Sequence, residues 1–443
     1  MSVQALIDIL EADDRISAWQ VRELAKRSTQ LFLNKDAEES RRRVESLSYE
    51  VELLITRKAA VPGQKEKQWV TGNARFNVDP GAVGRFKADL ETGIASANLV
   101  ANEAYSMAEV AGTIPKVELA DPALMQDAEG QVALGAEQLR SASAKEKGVR
   151  LVAAEFFADR LRTRYFNSQG VNCLFESTLY SGEYCLLAAG PKGETEVFKA
   201  YKRRRLQDVG LEALVASTAQ QSRERLKAVL PQSGSFDVVI SGEALEHFFA
   251  WVLTQASGAA KYNRMTGAEV GDILVEATAG ATPLTLFSNA VLPWGVGSYK
   301  VDGSGTFGSR KLLVEAGKLK ARHMGSRYAQ YLKAPATGDL GNVEVLPGKE
   351  SAQALLSPGA KPLYHLNDFS YFEPNGVTGE FSSEIRYGQE LGAKGAKVVS
   401  GGSVSGLSQD VLKTARFSAE TGMGERYFGP KFIRCEGLTL AGD

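Results

Sequence analysis

Histidine is scarce in this chain. Only His247, His323 and His365 occur in 443 residues. A zinc hydrolase takes about three protein ligands and keeps one position open for water, so three histidines leave little to build one from. Cysteine is equally sparse, and Cys173, Cys185 and Cys435 are too few and too scattered for a disulfide framework. Their default reading is small buried apolar residues in a reducing compartment, with Cys173 and Cys185 expected on neighbouring strands. No apolar run approaches the 18 or so residues that span a bilayer. The start, Met1-Ser2-Val3-Gln4-Ala5-Leu6-Ile7, lacks the basic region and cleavage site of a signal peptide, and a cytoplasmic location is expected. Nor is there a surplus of charge. Lys plus Arg number 52 against 53 for Asp plus Glu, which gives no global field to attract nucleic acid or anionic lipid. The dense basic runs, Arg41-Arg42-Arg43 and Lys202-Arg203-Arg204-Arg205, read as solvated strand ends or helix faces.

What is present is an ordinary globular composition, long enough for two or three domains. Residues 1–110 read as mostly helical, from Leu6, Ile9 and Leu10, then Val21, Leu24 and Ala25, at helical spacing. Strands at residues 49–55 and 69–70 flank a polar loop at Pro62-Gly63-Gln64, and an alanine-rich helix covers residues 84–109. Residues 111–130 read as a connector. Residues 131–205 read as a meander of strands at 149–157, 160–166, 171–179, 183–189 and 195–201, with a hairpin turn at Asn167-Ser168-Gln169-Gly170. A helix is expected over 208–230. Short strands follow at 271–273, 284–287, 311–314, 381–387, 398–404 and 432–436, with a helix at 407–415. The fold class is α+β: a helical and mixed N-terminal segment (1–110), a middle antiparallel meander plus long helix (111–234), and a larger glycine-rich antiparallel β domain with helices (235–443).

The most informative stretch follows the apolar run Phe236-Asp237-Val238-Val239-Ile240. Gly242-Glu243-Ala244-Leu245-Glu246-His247 resembles a His-Glu-x-x-x-His zinc motif whose first histidine has become glycine. Two ligands five residues apart lie about 140° from each other on a regular helix, so they converge only where the helix is widened or just beginning. A lone Glu-x-x-x-His is common and, by itself, more often structural.

Its setting points further. The order of elements resembles the TldD/TldE (PmbA) metallopeptidases, most closely over residues 160–443. The carrying residues are Asn167-Ser168-x-Gly170 with Ser177-Thr178, Asp208-x-Gly210-x-x-Ala213, Gly242–His247, and Asp302-Gly303-Ser304-Gly305-Thr306. Gly379-x-Phe381-Ser382 leads to Ile385-Arg386-x-Gly388, and Pro430-x-Phe432-Ile433-x-x-x-Gly437-Leu438-Thr439-x-Ala441-Gly442 closes the chain. In that family the TldD subunit takes zinc through two histidines of the motif and a cysteine near the C-terminus. Here Glu243 and His247 stand at the second and sixth positions, Gly242 at the first, and no cysteine falls near Thr421-Gly422-Met423-Gly424. One imidazole does not hold zinc against cytosolic competitors.

The resemblance therefore implies TldE, the subunit without zinc, with Glu243 and His247 vestigial and no metal in this chain. It implies a TldD-like partner that carries the zinc, a heterodimer enclosing a channel, and proteolysis of unfolded peptides or removal of leaders from ribosomally made peptides. For peptide contact by main-chain pairing the candidates are Phe381, Ser382 and Ile385, with Gly401 and Gly402 allowing close approach. Equally, these glycines read as bulge or turn positions. Alternatives are a self-sufficient metallopeptidase using His247, Glu243 and a recruited ligand, or a non-enzymatic peptide-binding homodimer. His323 and His365 sit in no ligand motif and read as surface or packed histidines.

Overall fold

The computed structural model describes residues 2–60, 63, 66–191, 193–393 and 395–442, with the backbone alone at Val83. The class is α+β with largely antiparallel sheet, as expected. The first helix, α1 (Val3–Ala12), starts where the Ser2 hydroxyl accepts the Ala5 amide, and it buries Leu6, Ile7 and Leu10. Seven antiparallel strands then form one sheet: β1 (Ala18–Asn34), β2 (Ala37–Ala59), β3 (Gln68–Val78), β4 (Asn102–Glu103), β5 (Val149–Asn167), β6 (Asn172–Gly190) and β7 (Gly193–Arg203). Their order is β4-β3-β2-β1-β5-β6-β7. Helix α2 (Val83–Asn98) packs on β2 and β3, with Phe86, Leu90 and Ile94 joining one apolar core. After α3 (Pro122–Gln126), helices α4 (Ala128–Lys145) and α5 (Leu211–Arg225) pack on the β5–β7 end and share a second core with Phe156, Tyr184 and Leu186.

Several expectations are corrected here. Val21, Leu24 and Ala25 lie in β1, not in a helix. β1 is paired along its length on both sides, Val21 facing Val51 and Phe166, and these ladders override the helical spacing. The boundary drawn at residue 110 falls within one sheet, because β1 pairs with β5. The strands expected at 149–157 and 160–166 are one strand, and so are those at 171–179 and 183–189. Cys173 and Cys185 therefore share β6, and twelve extended residues place them about 40 Å apart, beyond any mutual contact. Residues 128–145, read as connector and meander, form α4, capped by the Asp127 carboxylate on the Gly130 amide. The hairpin turn is where it was expected: Gly170 has φ +86°, and the Asn167 side-chain oxygen accepts the Gln169 and Val171 amides. Of the loop at Pro62-Gly63-Gln64, Pro62 and Gln64 lie outside the described residues, as does Met1.

From residue 234 the chain builds a barrel. β8 (Gly234–Ser241) lies between the parallel strand Leu363–Phe369 and the antiparallel final strand Phe432–Ala441. Ser403–Leu407 and Glu380–Gly392 follow, and Glu380–Gly392 pairs back to Leu363–Phe369, closing the sheet. Val238, Ile240, Leu366, Ile385, Val404 and Ile433 fill its interior. A six-stranded sheet built on Leu286–Asn289, Arg310–Glu315 and Asn342–Val345 packs alongside, ending on Tyr427–Pro430 and Thr421–Met423. Residues 271–273 do not form a strand; Ile273 makes only a bridge to Lys318.

The basic run at 202–205 is not a solvated strand end. Arg204 is buried, and its guanidinium donates to the carbonyls of Gly295 (2.8 Å), Thr178 (3.2 Å), Val296 (3.0 Å) and Ser298 (3.0 Å). Burial without a carboxylate partner brings its pKa down to about 10. It fastens the first sheet to the C-terminal unit. Lys202 pairs with Glu425 at 3.2 Å, and Arg205 with Asp208 at 2.7 Å.

Candidate functional site

β8 ends at Ser241 and turns sharply into a 3-10 helix, Gly242–Glu246, which gives way to a short α-helix, Ala250–Gln255. The chain can make this turn because Gly242 takes φ +74°, a conformation that costs a side chain dearly. A Cβ built there would stand 2.7 Å from the Asn367 carbonyl oxygen. The glycine is therefore required by the turn; the backbone would have to move to admit a histidine.

Glu243, the next residue, is exposed and lies 3.5 Å from the Lys199 ammonium. Lys199 points inward from β7 and is buried, and it meets Asp368 at 3.2 Å. One cation thus joins two carboxylates across the gap between the first sheet and the barrel. The contact with Glu243 is a solvent-exposed one, whereas that with Asp368 is largely buried. His247 is exposed on the turn after the 3-10 helix, its amide on the Ala244 carbonyl (3.2 Å) and its carbonyl accepting from Ala250 (2.9 Å). The α-helix begins three residues further on, at Ala250.

Glu246 has a distinct task. Its carboxylate accepts the amides of Glu425 and of Arg426 (2.9 Å), and so holds the loop that follows Thr421–Met423. A Cβ at Gly424 would run into Glu246 Oε1. The stretch where the family's cysteine was looked for is therefore occupied by this carboxylate. Burial raises the Glu246 pKa, opposed by the two backbone donors. From β7, Arg203 donates to the Met423 carbonyl at 2.9 Å, bracing the same loop.

The other scarce residues go elsewhere. His365 Nε2 is 2.8 Å from the Ser241 hydroxyl, and burial lowers its pKa to about 4. His323 Nε2 is 3.1 Å from the Leu253 carbonyl, and burial likewise lowers its pKa. Cys435 is buried in the final strand, with its thiol pushed well up by burial. Among the described residues, no three or more histidines, cysteines or carboxylates come together to hold a metal. Of the carboxylates in this turn, Glu246 accepts two backbone amides and Glu243 lies beside Lys199.

The expected peptide-contact residues are also placed. Phe381 and Ile385 point into the barrel and are buried, and their strand is paired on both edges. Only Ser382 faces outward. Residues 398–404 are not one strand: Gly401 (φ +86°) and Gly402 (φ +69°) form the turn between Gly395–Val399 and Ser403–Leu407. The Gly401 amide donates to the Ile385 carbonyl at 2.7 Å, and a Cβ at 402 would strike the Ala441 carbonyl. These glycines serve the turn. The Asp302-Gly303-Ser304-Gly305-Thr306 motif is a loop closed on itself. The Asp302 carboxylate accepts the amides of Ser304 (2.8 Å), Thr306 (2.9 Å) and Asp339 (2.9 Å). Burial, with Asp339 nearby, pushes its pKa up to about 6.

Lys199, Glu246, Asn367 and Asp368 were not found from the sequence. For Lys199 a signal existed: it falls in phase with the inward Val197 and Tyr201 of β7, where an alternating strand places apolar residues.

Residues 233–442 match the family described as PmbA/TldA metallopeptidase C-terminal domain. The C-terminal domain, a little under half of the chain, belongs to that family. Its whole fold is shared with solved structures at low identity. TldE from Thermococcus kodakarensis superposes with a TM-score of 0.81 at 16% identity, over 99% of this chain and 100% of that one. A candidate modulator of a DNA gyrase from Thermotoga maritima gives 0.81 at 15%, over 99% and 100%. Another such protein, from Bacteroides thetaiotaomicron, gives 0.82 at 15%, over 99% and 98%. A comparison with curated proteins finds no match. Among the described residues, no helix is long and apolar enough to cross a membrane.

Proposed function

We propose that this chain is the non-zinc subunit of a two-chain TldD/TldE-type peptidase, acting on unfolded or leader-bearing peptides in the cytoplasm. The observation that carries this reading is the backbone at Gly242. With φ +74° and the Asn367 carbonyl 2.7 Å from any Cβ, the first ligand position of the motif cannot be refilled by a simple substitution. Two neighbours support it. Glu243 is engaged by Lys199, and Glu246 occupies the space beside Gly424. One of the solved structures that share this fold is named TldE. The metal chemistry then belongs to a TldD-like partner with an intact His-Glu-x-x-x-His, and this chain completes the chamber and limits what enters. The zinc is expected in the partner alone.

The test is reconstitution. The purified chain is assayed on an unstructured peptide alone and after mixing with a TldD-like chain from the same cell. Cleavage only in the mixture, together with a one-to-one complex on gel filtration, is expected. Cleavage by this chain alone, surviving rigorous purification, would overturn the reading.

A further inference from the structure

A sizeable groove lies away from the 241–247 turn. It is a groove of about 560 Å³ between β3 and α2, formed wholly by residues 73–100. Its floor is a strand edge. β3 is paired to β2 along all of its length without a register shift, but on the other side β4 covers only Val70 and Thr71. Among the described residues, no strand pairs with residues 73–77 on that edge. In an extended strand alternate peptide groups point to each edge, so two or three amide and carbonyl pairs here are directed into the groove.

Exposed edges of this kind are normally guarded by a bulge, a proline, an inward charge or a cover. Residues 73–77 contain no proline and the ladder no bulge. What stands beside them is α2, which walls the groove with Thr92 and Ser96. Of the charges at its rim, Arg75 pairs with Glu52 (2.8 Å) and Arg85 with Asp89 (3.3 Å), and the Asp79 carboxylate accepts the Gly81 amide (2.8 Å). The groove thus asks for no charge, and what it offers is main-chain donors and acceptors beside small hydroxyl side chains. β4 pairs with Val70 and Thr71 of the same edge, just ahead of residues 73–77, so the edge already takes a strand there.

We propose that the β3 edge and the α2 wall receive an extended peptide segment, which adds to the first sheet as a further strand and is held by main-chain hydrogen bonds. The occupant is a short stretch of unfolded polypeptide, chosen for extended conformation and free amides and not for charge. This gives the chain a peptide-holding site of its own, and it stands independently of whether a zinc-bearing partner exists.

The experiment is a fluorescence-anisotropy titration of the full-length chain, without partner, using a fluorescein-labelled eight-residue Ser/Thr/Val peptide. A second peptide of the same sequence carries N-methyl groups on alternate amides, in both phases. Thr92→Trp and Ser96→Trp fill the groove from exposed positions of α2 and leave the β3 ladder untouched; circular dichroism checks their folding. Saturable binding, weakened at least tenfold by either tryptophan and lost on N-methylation, is expected. Absence of saturable binding overturns the proposal, as does equal binding of the N-methylated peptide or binding unchanged in both variants. Self-association that both tryptophans abolish, without peptide binding, would assign the edge to a second copy and overturn it too.

Discussion

Replacing Gly242 by histidine restores the letters of a zinc motif, and on the geometry of the turn it should restore nothing else. A side chain at φ +74° costs about 1 kcal/mol or somewhat more relative to glycine. The Cβ must also stand clear of the Asn367 carbonyl, 2.7 Å away, which lies in the barrel strand Leu363–Phe369 directly after Leu366, the last residue of that strand paired with β8. Overpacking of this sort adds about 1–3 kcal/mol, for a total of about 2–4 kcal/mol. Gly242→Ala isolates most of that penalty, since alanine already carries the Cβ. Both variants are compared with the parent by urea denaturation, followed by tryptophan fluorescence, to which Trp251, buried in the C-terminal apolar core, contributes. Gly242→Ala and Gly242→His should each lose about 2–4 kcal/mol, and Gly242→His should bind no zinc by mass spectrometry. A Gly242→His protein as stable as the parent and carrying one zinc per chain would refute the reasoning.

Three further expectations follow from the same site. Lys199→Met leaves Asp368 without its cation in a largely buried place and should cost about 2–4 kcal/mol in urea denaturation; Asp368→Asn in the same chain should return part of it, whereas Glu243→Gln, at an exposed residue, should change stability by less than about 1 kcal/mol. Glu246→Ala removes the acceptor for two backbone amides, so hydrogen exchange at Glu425 and Arg426 should speed up at least tenfold while the first sheet stays protected. His365 has a folded pKa of about 4 against an ordinary 6.5. Below 6.5 the unfolded chain takes up the proton first, so stability present at neutral pH is lost as the pH falls towards 4. The loss is about 3 kcal/mol, and His365→Gln, which keeps a partner for Ser241, should flatten that part of the stability–pH curve.

Local signals were legible where one residue determines one conformation. Asn167 and Gly170 announced their hairpin, and Gly242 marked the turn because glycine there has neither a ligand atom nor a Cβ. The strand after residue 380 and the final strand were also found, from alternation. What failed was long-range. The helical spacing of Val21, Leu24 and Ala25 is real, but β1 gains two full ladders, and only knowledge of β2 and β5 reveals that. The closure of the barrel is a pairing between residues about twenty apart that no periodicity records, and it turned Phe381 and Ile385 from candidate contacts into core. Lys199 meets Asp368 and Glu243 across 169 and 44 positions, so the ion cluster beside the turn was invisible in the linear order.

Zinc content decides the central claim most directly. The chain and a TldD-like partner are purified separately and together, and each sample is analysed by inductively coupled plasma mass spectrometry after exhaustive dialysis. The account predicts no bound zinc in this chain, one per partner chain, and one per complex. One zinc per molecule of this chain alone, lost on His247→Ala, would contradict it.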